Sequence, residues 1–149
     1  GPERATEILD HVTSVAAQDN ITFNMDIAVR ANTFLAHRLL SYALKQHGAV
    51  VQIPLKERLM DAYFTDGKNI SDIDVLADCA ESAGIDRNEA HTFLLGDELV
   101  DEVRSEIAEA AEYGVTAVPT FIINGQWSVP GAQDVEMFER IIERILEKA

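Results

Sequence analysis

Apolar residues in the first 113 positions recur three and four apart, and after Gly114 the spacing tightens to short β-type runs. Ile8, Leu9, Val12, Val15 and Ala16 predict a helix from Pro2 to about Gln18, with Pro2 suited to a first helical position. Asn20 to Asn24 reads as a short extended connector. Leu35, Leu39, Leu40, Ala43 and Leu44 predict a second helix over Asn32–Gln46, stopped by Gly48. Pro54 opens a third, carrying Leu55, Leu59, Ala62, Tyr63 and Phe64 to about Thr65 and ending near Asp66-Gly67. Ser71-x-x-Asp74 signals the N-terminus of a fourth helix, closed by Gly84. Asp86-x-x-Glu89 signals a short fifth, ending near Gly96. Asp97 to Tyr113 predicts a sixth, with Leu99, Val103, Ile107 and Ala110 inward and the acids and Arg104 mostly outward.

Beyond the stop at Gly114, Thr120–Asn124 and Gln126–Val129 predict two short strands. Asn124-Gly125 between them is a strong hairpin signal, because a type I′ turn needs positive φ at both central residues. Asp134 caps a last helix bearing Val135, Phe138, Ile141, Ile142 and Ile145, against which Trp127 and Pro130 are expected to pack. The unbroken Phe121-Ile122-Ile123 run predicts a strand buried on both faces, hence a central one. Two strands alone are marginal in water. A partner strand is therefore expected from residues before Gly1, or from a second chain such as a homodimer partner.

Length and composition fit one globular domain of 149 residues. The net charge of −14 would repel nucleic acid and acidic membrane faces, so neither is expected as a partner. No apolar run is long enough to span a bilayer, and no signal-peptide pattern opens the chain. Gly1-Pro2 is not a natural start, which predicts a cleaved chain, a tag scar or a preceding segment. The single cysteine, Cys79, cannot close an internal disulfide and fits a reducing, cytoplasmic compartment. With Leu76, Ala80 and Ala83 around it and Asp78 and Glu81 nearby, it reads as a buried, inert thiol. His11, His37, His47 and His91 lack the spacing of a metal site, so no metal is expected.

Four ordered motifs resemble one family: Gly1-Pro-Glu-Arg-Ala5, Asn32-Thr-Phe-Leu-Ala-His37-Arg-Leu39, Ala62-Tyr-Phe-Thr-Asp-Gly-Lys-Asn-Ile-Ser-Asp72, and Gly114 to Gln133. They resemble DsbA-like members of the thioredoxin superfamily, of the FrnE type related to 2-hydroxychromene-2-carboxylate isomerase and kappa-class glutathione transferases. The resemblance implies an α/β thioredoxin-like fold with a large all-helical insertion. Residues 1–113 would be the insertion and 114–149 the C-terminal β-β-α half, the N-terminal β-α-β half being absent. It implies a protein disulfide oxidoreductase acting on protein or small-molecule thiols. Its Cys-x-x-Cys would precede Gly1, so this stretch would hold no catalytic residue and be inactive alone.

The same resemblance makes Val118-Pro119 a cis step facing the redox motif, with Val118, Pro119 and Thr120 contacting substrate; the plain alternative is a trans proline at a strand start. Asn32 would lie near the active-site cleft, or simply cap its helix. His37 reads as structural. No cofactor is implied, but the glutathione-using relatives make Ala132 and Gln133 candidate contacts for glutathione as co-substrate, against an ordinary cap by Asp134. A glutathione-dependent isomerase or transferase, and a non-enzymatic helical interaction module, are the alternative functions.

Overall fold

Seven helices and one hairpin are found among the described residues: α1 (Pro2–Gln18), α2 (Phe34–His47), α3 (Ala49–Phe64), α4 (Ile73–Ser82), α5 (Arg87–Leu95), α6 (Val100–Glu112), β1 (Thr120–Ile123), β2 (Trp127–Pro130) and α7 (Val135–Leu146). The computed structural model describes residues 2–148 apart from the side chains of Pro2, Glu3 and Ala5, so Gly1 of the first motif lies outside the described residues. The chain divides into two compact units, Gly1–Val103 and Arg104–Ala149. The expected boundary at 113/114 marks the end of α6, whereas the units divide inside that helix. Its first turn belongs with the helical unit, where Val103 is buried and Glu102 pairs with Lys45.

In the first unit α2 packs on α3, α3 on α4 and α4 on α5. The apolar faces meet at Leu39, Leu55, Leu76 and Ile85, all fully buried. Cys79 lies in the same core. The apolar stripe of α1 stays largely exposed at Ile8, Leu9, Val12 and Val15. Connector residues 20–24 dock on the end of α3. The Asn24 backbone N–H donates to Phe64 C=O and its side chain to Thr65 C=O, both at 2.7 Å. Phe23 stacks on Phe64 with ring centroids 4.5 Å apart.

Several boundaries differ from the sequence expectation, each for a local reason. Helix α3 begins at Ala49, not Pro54, and Pro54 sits inside it. The carbonyl left without a donor is that of Val50, in a turn where Val50 is 80% exposed and water can serve it. Asp72, not Ser71, caps α4, accepting from the Asp74 and Val75 N–H groups. The Asp72 carboxylate reaches them directly, while the Ser71 hydroxyl donates to Asn69 Oδ1. Helix α6 begins at Val100 rather than Asp97, because Leu99 adopts φ 61° and breaks the helical path. Ile107, expected inward, is 54% exposed.

In the second unit the hairpin forms as read. Asn124 and Gly125 take φ 53° and 66°, and Gln126 N–H closes the turn on Ile123 C=O at 3.1 Å. The strands are antiparallel with Phe121 opposite Val129. Phe121 meets Phe138 of α7 edge-on at 4.9 Å. The expected double-sided burial of β1 is not found: Phe121 is 42% exposed, and Ile122 and Ile123 are half-buried. Among the described residues β1 has a single neighbour, β2, so its other edge stays open.

Between α2 and α5, the Tyr42 hydroxyl donates to Glu89 Oε1 at 2.7 Å, and His47 Nε2 lies 2.9 Å from the same oxygen. Burial, then the bond to Glu89, push the Tyr42 hydroxyl up to about 12. The folded state thus holds this proton more tightly than the unfolded chain, whose tyrosines ionise near ~10. The resulting stability is fully present below that value and is lost as pH rises through about 12. A tyrosinate absorbance titration should show one late step that Tyr42→Phe removes. The variant's melting temperature should also fall less steeply across this window. Parallel decline of both proteins would refute the assignment.

Candidate functional site

Two candidate stretches lie in the second unit. The Val118–Pro119 peptide bond is cis. Pro119 C=O accepts from Gly131 N–H at 2.7 Å, tying the step to the end of β2. Thr120 Oγ1 donates to Ala117 C=O at 2.6 Å and so braces the other side. Val118 itself is 88% exposed. Pro119 separates it from β1, one edge of which has no strand partner among the described residues. An extended chain laid along such an edge can add as a further strand.

The second stretch opens α7. Gly131 takes φ 79°, and exposed Ala132 and Gln133 follow it. Gln133 Nε2 donates to Pro130 C=O at 2.9 Å, and Asp134 Oδ1 accepts from Met137 N–H at 2.7 Å. A carboxylate from the chain itself therefore sits where an anion would meet the helix N-terminus.

Asn32 belongs to the first unit. Its Oδ1 accepts from Phe34 N–H at 2.9 Å, so it ties down the entry to α2. One turn on, His37 is exposed and lines a cavity of about 350 Å³. Thr33, Ala36 and His37 form one side of this cavity, and Tyr63, Phe64 and Ile70 form another. The second and third motifs of the sequence thus converge on one largely apolar hollow. No described helix is long and apolar enough to cross a membrane, and no trio of metal-ligating side chains gathers among the described residues.

Arg38 was not singled out as a candidate, yet it is 3% exposed. Its Nη2 donates to Gly96 C=O at 2.8 Å and Glu98 C=O at 2.9 Å, and its Nε to Glu98 C=O at 3.1 Å. The guanidinium also lies 5.1 Å from the Phe93 ring centroid. Burial lowers its pKa, and Asp97 and Glu98 push it back. A cation at i, i+3, i+7 with Leu35 and Tyr42, on an otherwise apolar face, was the signal available.

A helical unit joined to a unit in which a proline step, a hairpin and a covering helix follow in order defines a thioredoxin-like fold of DsbA type. The chain belongs to the DSBA-like thioredoxin domain family, whose model matches residues 1–143. It is 38% identical over 86 residues to YwbO, an uncharacterised protein of Bacillus subtilis, a match spanning 57% of this chain and 42% of that one. The structure resembles that of a DsbA oxidoreductase candidate from Streptomyces coelicolor, with TM-score 0.86 and 27% identity, over 100% of this chain and 63% of the other. It also shares its fold with a protein disulfide isomerase candidate from Nitrosomonas europaea, with TM-score 0.75 and 18% identity, over 99% and 76% of the two chains. The chain thus spans less than two thirds of YwbO and of the Streptomyces protein.

Proposed function

We propose that this chain is the substrate-presenting part of a thiol–disulfide oxidoreductase of DsbA and FrnE type, whose dithiol lies in sequence preceding Gly1. The observation that carries the reading is the exposed Val118–Pro119 step, held to the end of β2 through the Pro119 carbonyl. Family membership and the 27%-identical oxidoreductase candidate support it. A disulfide-bearing substrate, protein or small molecule, would lie in extended form against Val118. One thiolate attacks a substrate sulfur, the S–S bond breaks and a mixed disulfide forms. The second thiolate displaces the remaining substrate sulfur, so substrate leaves as dithiol and the enzyme is left as disulfide. The same steps in reverse oxidise a dithiol substrate.

Cys79 is not part of this chemistry. Burial pushes its thiol up, and the charges of Arg58 and Lys68 only partly offset that. Glutathione is the weaker co-substrate reading, because Asp134 and the Gln133 amide are already engaged at the α7 N-terminus.

The polypeptide that includes the residues upstream of Gly1 should catalyse dithiothreitol-driven insulin precipitation, and the 149-residue chain should not. Catalysis by this chain alone, or none by a folded longer polypeptide, would overturn the reading.

A further inference from the structure

Carboxylates outnumber Lys and Arg by 26 to 12 in this chain. Yet a groove of about 580 Å³ between β2 and α7 is lined by Arg140 and Arg144 and by no acid. The two arginines are four residues apart, so they stack on one face of α7. Lys148, four further on, stands 5.2 Å from the Trp127 ring centroid at the same groove. Arg140 reaches Glu136 at 3.4 Å in an exposed pair, a weak competitor. Arg144 has no ion pair among the described residues. Trp127, Val129 and Ile141 supply an apolar floor.

The strand edge limits what fits. Bonded and non-bonded positions alternate along an antiparallel pair. The Gly131 N–H to Pro119 C=O bond sets the phase, so Trp127 and Val129 face β1 and Ser128 turns its N–H and C=O outward. Pro130 also faces out, but it has no N–H, and Gln133 already occupies its carbonyl. The outer edge of β2 can pair with one residue, not with a long added strand. A short segment held mainly by its side chains fits.

We propose that this groove docks a short acidic segment of a partner protein, its carboxylates on Arg140 and Arg144 and an adjacent apolar side chain against Trp127. The groove shares no lining residue with the Val118–Thr120 step and does not depend on the redox reading. Because the chain as a whole is strongly acidic, recognition acts at close range, within a Debye length of the two guanidiniums.

Trp127 is the chain's single tryptophan, so its emission reports on this groove directly. The whole chain is titrated with a peptide alternating Glu and Leu, with the same peptide carrying Gln in place of Glu, and with inorganic phosphate. The Glu peptide should change the emission saturably. The Gln peptide, and the Arg140→Gln/Arg144→Gln double variant with the Glu peptide, should each bind at least about tenfold more weakly. Arg144→Glu keeps a good helix former and should abolish binding, providing a second variant should the double one lose its fold. Equal affinity for the Glu and Gln peptides, or Arg144→Glu binding as wild type, overturns the proposal. So does phosphate alone matching the Glu peptide, or an emission change that tracks self-association in sedimentation.

Discussion

Arg38→Met is expected to destabilise the first unit by about 2–4 kcal/mol, read as a lower urea midpoint at unchanged slope. Methionine retains much of the apolar stem beneath Phe93, so lost packing is a minor part of the effect. The larger part comes from carbonyls. Gly96 and Glu98 each lose a charge-assisted donor at 2.8–3.1 Å, and the weaker 3.5 Å contact to Phe93 goes too. A buried acceptor left without a donor costs about 1–3 kcal/mol, and solvent reaching part of this turn keeps the sum below the simple total. Arg38 also places a cation at the C-terminal end of α5, where the helix dipole favours one. Arg38→Lys should fall between, since it keeps the charge and loses the planar fork. A loss within 0.5 kcal/mol of zero for Arg38→Met, with roughly 1 expected from any single lost hydrogen bond, would show that water serves these carbonyls instead.

The contrast between Arg38 and the hairpin shows which features a reader of the sequence can reach. Asn124-Gly125 is legible because its requirement, positive φ at two adjacent residues, is local and few residues meet it. The Asp86 and Asp134 caps are legible for the same reason. Pro54 misleads because a proline at a helix start and one tolerated in an exposed second turn look alike in sequence. The triple apolar run of β1 reads as a fully buried strand, yet burial depends on what covers it, and no local pattern encodes that.

The candidate site divides along the same line. Val118, Pro119 and Thr120 adjoin in sequence, and the bond from Gly131 to Pro119 spans one hairpin. The cavity beneath His37 joins residues about thirty positions apart, and only the packing of α2 on α3 reveals that two motifs share it. The Arg140–Arg144 groove needs helix spacing, strand phase and the absence of acids together. No one of these three features specifies such a groove in a chain so rich in charge.

Gly67→Ala is expected to cost about 2–4 kcal/mol, against about 1 kcal/mol for Gly84→Ala. Both glycines have positive φ, 64° and 99°, so both substitutions carry the positive-φ penalty of a Cβ. Their surroundings differ. A Cβ at Gly84 would meet nothing within 4 Å, whereas at Gly67 it would come within 2.7 Å of the Ile27 carbonyl oxygen and 2.8 Å of Ile27 Cγ1. A side-chain tip can swing away, but a backbone oxygen moves only with its chain. The segment around Ile27 is held in turn, its N–H bonded to Asn24 C=O and Asn24 to the end of α3. Relief of the clash must therefore lift residues 24–27 from α3 or unwind the α3 terminus, where Lys68 N–H reaches back to Ala62 C=O. Phe64 and Ile70 flank Gly67 and line the cavity with His37, so the same displacement should reshape that hollow. Chemical denaturation of the two variants side by side separates the terms. Equal losses at both positions would mean that the Ile27 segment yields freely and that close approach does not constrain residue 67.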